Sequence, residues 1–454
     1  MDLIFAVFSK QIYLIDNKFM KIEMSKIAKD RYKILGSIHD IALFFGGLIY
    51  IGSKLKDKRT IKNLKDKIKL TERVETEKDT ILVHSSSIGE TKNALLFTKY
   101  LKEKLSNDLS FDIKNTVFTD TAKSLFNEVY ILPLPFFNSL KKFLPEKLKL
   151  TIFYEGDLWP GYIIAAKDKG AKILLVSGRI SKRSSEIIKR TPLKYILSEI
   201  DGVFASSEEY AERFKEIGIK RVFVSKNLKN LVFLEYRENT NEKDAEIKSK
   251  IKTKMKNSLI GISTRGNEEI DFLLETQKIL GNNFILFIAP RHNFDQAENF
   301  LKAKNVEFIK FSDIKNGETR IEQALLKILD TNIKVVLIDT YGLVEEILGY
   351  FSFSFVGGSI LPIGGHNVLE PISKGVPVST GKHIWNISER EELIKEKVLF
   401  IADNPRDLAY IIKKSGDEYK ERVRKFVNKR RKEISDEIER IVFEIERLIS
   451  GDKD

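Results

Sequence analysis

The stretch Phe355-Val-Gly-Gly-Ser-Ile-Leu-Pro-Ile-Gly-Gly-His-Asn-Val-Leu-Glu-Pro371 sets two glycine pairs, Gly357-Gly358 and Gly364-Gly365, around His366, Asn367 and Glu370. Glycine turns let a ligand approach the backbone, and a helix starting just beyond them offers free N–H groups and partial positive charge. That combination suits an anion such as a phosphate, with Glu370, fixed by Pro371, placed to accept from a ribose diol. A tight turn serving only packing is the alternative. A second stretch, Ser85-Ser-Ser-Ile-Gly-Glu90, ends in a carboxylate at a strand-to-helix turn, where it can take a proton from a hydroxyl. The same place also suits a first-turn glutamate held by the helix dipole. Glu155 and Asp157 form a carboxylate pair beside Trp159, open to metal or polar ligands, and Arg291-His292 follow a strand. Arg179, Lys229 and Arg265 are candidate anion contacts, or equally solvated surface cations.

The elements that must position these residues follow from the apolar pattern. Thr80–His84 reads as a buried strand and Thr91–Leu105 as a helix. Further strands are expected at Leu150–Tyr154, Lys172–Val176, Gly202–Ala205 and Arg221–Val224, with a helix over Ser206–Ile217. A polar run over Glu238–Asn257 reads as a linker or an exposed helix. A second series of strands follows at Ser258–Ile262, Phe284–Ile288, Val335–Ile338 and Ser352–Val356. Short apolar strands alternating with helices imply parallel sheets covered on both faces. From Gly416 onward, apolar residues at helical spacing, including Val423, Phe426, Ile434, Ile438 and Ile445, predict an amphipathic helix or helix pair. Two doubly wound α/β domains are expected, with ligand between them at the carboxyl ends of the strands.

Composition narrows the function classes. The chain of 454 residues contains no cysteine, which excludes disulfides, thiolate catalysis and cysteine-based zinc sites. Its five histidines are scattered, which argues against a multi-histidine metal site. A formal charge of +13 implies an anionic partner. Lys54–Lys69 holds eight Lys/Arg against two Asp, directly after the apolar run Ile41–Ile51, which resembles a membrane-surface anchor. That run is short for a spanning helix, which needs about 20 apolar residues. A buried helix followed by a solvated one is the alternative. Cations clustered beside an apolar anchor, rather than interleaved with stacking aromatics, argue against nucleic acid as the partner.

The glycine window resembles the sugar-nucleotide signature of the Kdo transferases, which add 3-deoxy-D-manno-octulosonic acid (Kdo) to a lipid A precursor. Other stretches resemble that family in the same order: Val83–Glu90, Glu155-Gly-Asp-Leu-Trp-Pro160, Gly178–Ser181, Asn227-Leu-Lys229, Ser263-Thr264 with Glu268-Glu269, Pro290-Arg-His292 and Asp339-Thr-Tyr-Gly342. The similarity runs from about Ile81 to about Asn386. It implies a GT-B glycosyltransferase, with two Rossmann-like domains facing a central cleft and an N-terminal membrane-associated helix. The expected divisions are 1–75 (membrane-associating), 76–237 (acceptor-binding), 238–257 (linker), 258–415 (nucleotide-sugar-binding) and 416–454 (C-terminal helix).

The resemblance assigns Glu90 as catalytic base. It places Ser87, Gly89, Glu155, Asp157, Arg179 and Lys229 at the acceptor or sugar site. Ser263, Thr264, Arg265, Pro290, Arg291, His292, Gly342, Gly364, Gly365, His366, Asn367 and Glu370 fall to the nucleotide sugar. It implies CMP-Kdo as donor, a lipid A precursor as acceptor and the cytoplasmic face of the inner membrane as location, with no cofactor. The only Asp-x-Asp is Asp452-Lys-Asp454 at the tail, so a metal-independent transfer is expected. Three positions depart from the family pattern: Arg265 replaces a histidine, Asp157 a glutamate and Lys226 a glycine. They leave room for another CMP-activated ulosonic acid or another acceptor. A sugar-nucleotide epimerase would share the architecture without needing the membrane-proximal segment.

Overall fold

A computed structural model describes residues 31–40, 73–105, 111–117, 128–134, 136–235, 242–315 and 320–451, with the single positions 123 and 126. The apolar run 41–51 and the basic cluster 54–69, and so most of the expected membrane-associating segment, lie outside the described residues. Among the described residues no helix is long and apolar enough to cross a membrane. The chain divides into two units, residues 1–231 with 434–454, and residues 232–433.

The first unit is built on seven parallel strands: β1 (Thr80–Ser85), β2 (Asp112–Val117), β3 (Val129–Ile131), β4 (Leu148–Tyr154), β5 (Lys172–Gly178), β6 (Gly202–Ala205) and β7 (Val222–Val224). Their order is β3-β2-β1-β4-β5-β6-β7. Every residue of β1 and β6 is buried, as expected of central parallel strands covered by helices on both faces. The order reverses at β1, which pairs with β2 on one side and β4 on the other, so the carboxyl ends of β1 and β4 open the crevice where ligands of such sheets bind. The helix Pro160–Asp168 starts with proline, whose missing N–H costs nothing in a first turn, and buries Tyr162, Ile163 and Ile164 completely or nearly so. β2 (DIKNTV) was not legible as a strand because its buried side chains include Asn115, whose carbonyl oxygen accepts from Thr98 Oγ1 at 2.9 Å.

The helical segment 31–40 docks on this unit. Arg31 and Tyr32 both engage Glu199, and Asp40 Oδ1 accepts from Phe137 N at 2.6 Å, supplying the start of the helix Phe137–Phe143 with a cap that its own N-cap residue Phe136 lacks. Gly36 permits the contact, since a Cβ there would lie 2.3 Å from the Phe137 ring.

The second unit repeats the plan with β8 (Ser258–Thr264), β9 (Ile285–Pro290), β10 (Ile309–Lys310), β11 (Val335–Leu337), β12 (Phe353–Val356), β13 (Val378–Thr380) and β14 (Leu399–Ile401), ordered β10-β11-β9-β8-β12-β13-β14. The order reverses at β8, between β9 and β12. Strands of two or three residues, such as β10, β13 and β14, carry too little periodicity to be read from sequence. The polar run before β8 forms a helix, Glu242–Lys254, and Ile251 and Met255 at its end are fully buried. The long helix Asp417–Ser450 is continuous, and its Tyr419, Val423, Phe426 and Val427 join the core of the second unit.

Leu325 is fully buried in that core. Leu325→Ala is expected to cost about 2–5 kcal/mol, read from the urea midpoint of the second unit's transition. A loss under about 1 kcal/mol would contradict the close packing there.

Candidate functional site

In the first unit the helix after β1 begins at Ile88, three residues earlier than its apolar pattern suggests. The reason is a capping box. Glu90 N donates to Ser87 Oγ at 3.3 Å, while Glu90 Oε2 accepts from Ser87 N at 3.3 Å and Ser86 N at 3.1 Å. Gly89 has open space where a Cβ would stand. Burial raises the pKa of Glu90, opposed by the Ser86 and Ser87 amides and reinforced by the charges of Glu155 and Asp157. Asp157 is raised as well, first by burial, with the Ser86 hydroxyl working the other way and Glu155 adding to it. The structure therefore gathers three carboxylates at the ends of β1 and β4.

Two cations balance them. Glu155, only 7% exposed, lies with its carboxylate between Lys229 Nζ at 3.4 Å and Arg179 Nη1 at 3.9 Å. Its backbone is left-handed, with φ +70°, an arrangement that costs about 1–3 kcal/mol in a residue with a side chain. The surroundings impose it. Glu155 N donates to Val176 O at 2.9 Å, Arg179 N donates to Glu155 O at 3.2 Å, and Gly156 packs so closely that a Cβ would lie 2.9 Å from Arg179 O.

Lys229 is aimed by Asn227 of its own motif and by Ser177, which the sequence did not single out. Ser177, also left-handed at φ +54°, interrupts the regular pairing of β5 with β6. Its hydroxyl donates to Asn227 Oδ1 at 3.2 Å and accepts from Leu228 N at 3.3 Å; Lys229 N donates to the same Asn227 oxygen at 3.0 Å. Nothing in local periodicity marks Ser177, because its role depends on a partner fifty residues away.

In the second unit Ser263, left-handed at φ +55°, breaks the β8–β9 register, and Thr264 beyond it is buried opposite Pro290. Arg291 N donates to Thr264 O at 3.1 Å, which joins the ends of β8 and β9. Arg265 is the N-cap residue of the helix Gly266–Leu280, and its Nε donates to His366 Nε2 at 3.3 Å. Burial holds the pKa of His366 at about 4, with Arg291, Arg265 and His292 all adding to the depression. His292 is lowered too, by burial, Arg265 and Arg291. Arg265, Arg291, His292 and His366 thus share one cationic neighbourhood, suited to an anion, in which His366 is neutral at pH 7.

The glycine pairs make room for the protein's own groups. A Cβ on Gly357 would lie 2.4 Å from Glu269 Oε2, one on Gly358 2.7 Å from the His366 ring, and one on Gly364 2.3 Å from Asn386 Nδ2. Gly365 is left-handed, with Ile387 close by. Asn367 Oδ1 accepts from Leu369 N at 3.0 Å, opening the helix Leu369–Ser373 whose first turn holds half-buried Glu370. Gly342, at φ +86°, follows β11, two strands from β8. Beside it Tyr341, 72% exposed, meets the Phe294 ring at 4.9 Å, an aromatic pair that the sequence did not mark.

Because the folded pKa of His366 lies below the ordinary 6.5, the unfolded chain takes up a proton that the folded one refuses between pH 6.5 and about 4. The stability involved is fully present above pH 6.5 and is lost as pH falls through that window. His366→Gln is expected to flatten this fall, measured as the urea midpoint against pH. An unchanged slope would show that the ring titrates freely.

Comparison with known proteins adds the family. Residues 62–232 match the family described as 3-deoxy-D-manno-octulosonic-acid transferase (kdotransferase). A bifunctional glycosyltransferase/methyltransferase of Fusobacterium nucleatum is 29% identical over 356 residues, 74% of this chain; the alignment spans about half, 52%, of that protein's own length. The 3-deoxy-D-manno-octulosonic acid transferase of Haemophilus influenzae is 27% identical over 70% of this chain and 74% of its own. That of Aquifex aeolicus is 28% identical over 73% of this chain and 84% of its own. Residues 62–232 thus match the Kdo-transferase family, and along most of its length this chain is similar to Kdo transferases.

Proposed function

We propose that this protein is a GT-B glycosyltransferase that moves Kdo from CMP-Kdo to a lipid A precursor of the lipid IVA kind, with inversion and without a metal, at the cytoplasmic face of the inner membrane. The family match and the similar Kdo transferases support the donor and the reaction class. The observation that carries the chemistry is Glu90, a carboxylate on a rigid helix start whose proton affinity is raised by burial and by two neighbouring carboxylates. A base has to hold a proton at moderate pH in order to take one, and that environment supplies the affinity.

In this scheme Glu90 accepts the proton of the acceptor hydroxyl while its oxygen attacks the anomeric carbon of Kdo. The bond from that carbon to the phosphate oxygen breaks in the same displacement, which inverts the centre and releases CMP. Arg265 and Arg291 receive the charge of the departing phosphate. Arg179 and Lys229 flank Glu155 beside the acceptor and remain within reach of its anionic groups. The apolar run Ile41–Ile51 and the basic cluster after it bring the protein to the lipid surface. A second reading, another CMP-ulosonic acid as donor, is favoured by Arg265, whose guanidinium sits against His366 where the family has a histidine.

The test is transfer from CMP-Kdo generated in situ to a tetraacylated lipid A precursor, in the presence of EDTA. The parent chain is expected to give product, and Glu90→Gln to lose at least about a hundredfold in rate while still binding CMP. The acid limb of the parent's pH–rate profile is expected above 4.5, the ordinary glutamate value, because the shift is upward. Binding of CMP-Kdo without lipid modification would overturn the acceptor, loss of product in EDTA the metal independence, and an active Glu90→Gln the base. Transfer from a different CMP-ulosonic acid in preference to CMP-Kdo would favour the second reading.

A further inference from the structure

One buried ionisable group has no part in that chemistry. Glu269, in the first turns of the helix Gly266–Leu280, is fully buried. Its Oε2 accepts from Arg265 N at 2.7 Å and Gly358 N at 2.9 Å, and its Oε1 accepts from Ser359 N at 2.9 Å and Ile360 N at 3.0 Å. One carboxylate thereby ties the residue that starts the helix after β8 to three successive amides of the loop after β12. Both ends of the tie carry the cationic neighbourhood: Arg265 bonds His366, and Gly358 packs against the His366 ring.

We propose that Glu269 is a positioning residue for the nucleotide-sugar site of the second unit, acting through Arg265 and His366, and this rests on the donor reading above. The carboxylate fills the N–H of the N-cap residue Arg265 and three N–H groups of the glycine loop, and so fixes that loop beside the side-chain cations Arg265 and Arg291 that meet the donor phosphate. Only a carboxylate meets the demand at this site, because all four partners are donors and both oxygens must accept. A glutamine presents an NH2 group to one of the two amide pairs, which opens that half of the tie and leaves buried amides without acceptors. Gly357 is bound to the same requirement, since a Cβ there would collide with Glu269 Oε2 at 2.4 Å.

The experiment compares the parent chain with Glu269→Gln, Glu269→Asp and Leu325→Ala, the last a core change in the same unit, in a hydrophobic cluster that includes none of the loop residues 357–360. Three quantities are read: the Kd for CMP by calorimetry, KM and kcat for CMP-Kdo transfer, and hydrogen exchange at the Gly358, Ser359 and Ile360 amides. Glu269→Gln is expected to raise Kd and KM together by about tenfold or more, with kcat changed by less than about threefold and the three amides exchanging faster. Glu269→Asp keeps the charge with a shorter reach and loses less, which keeps the test open if the glutamine variant does not fold. Leu325→Ala lowers stability without moving Kd. The proposal is overturned if Glu269→Gln binds CMP as the parent does, if kcat falls with KM unchanged, or if Leu325→Ala weakens CMP equally. A parent that exchanges slowly at these amides yet fails to bind CMP overturns the donor reading itself, and the site role of Glu269 with it.

Discussion

The helix that follows the reversal strand of a doubly wound unit begins with backbone N–H groups that need acceptors, and in both units of this protein a glutamate on that helix supplies one. The consequences diverge. Glu90 accepts from two amides and stays partly open to solvent, so its carboxylate remains within reach of a ligand, while burial pushes its pKa upward against those amides. Glu269 accepts from four amides and is sealed, so it shapes a loop instead of meeting a ligand. Both follow the strand at which the order of their sheet reverses, β1 in one unit and β8 in the other. The same backbone requirement is answered once with a carboxylate left partly open and once with a brace.

Around these glutamates each unit accepts strain in order to gather charge. Glu155, Ser177 and Ser263 are left-handed residues with side chains, and each stands at or beyond the carboxyl end of a strand that delivers candidate site residues. The first turns a carboxylate between Arg179 and Lys229; the second anchors Asn227, and through it Lys229. The third precedes Thr264 and Arg265. Backbone conformations of this kind persist only where surrounding bonds over-determine them, and all three lie in that setting.

The electrostatic character of the two units is complementary to the chemistry proposed for them. The first concentrates carboxylates whose protons are held more tightly than usual, with cations at their edge. The second concentrates arginines around a histidine kept neutral by burial, so its positive charge comes from groups that do not titrate near pH 7. In the proposed reaction, proton acceptance and anion stabilisation, the two demands of a displacement at an activated sugar, fall to different sheets.

Much of this was legible in the amino-acid sequence. Near-continuous apolar strands alternating with helices specify two parallel sheets, because only strands buried on both faces read that way, and the ordered motifs from Ile81 to Asn386 point to the family. The capping box at Ser87 and Glu90 is local enough to be written in four residues. Other features depend on contacts between distant segments. Glu269 beside Glu268 is one of two similar glutamates until β8 and β12 are placed side by side and the loop amides converge on one of them. Ser177 and Asn227 acquire a role only when β5 and the turn after β7 meet. The glycine pairs could be read as a ligand cradle or as packing, and only the approach of Glu269, His366 and Asn386 reveals what fills the space beside them. Local propensity and pattern determined the elements, their class and the chemical types present; which carboxylate is sealed and which remains available was decided by tertiary packing, since burial and hydrogen-bond partners belong to the folded chain alone.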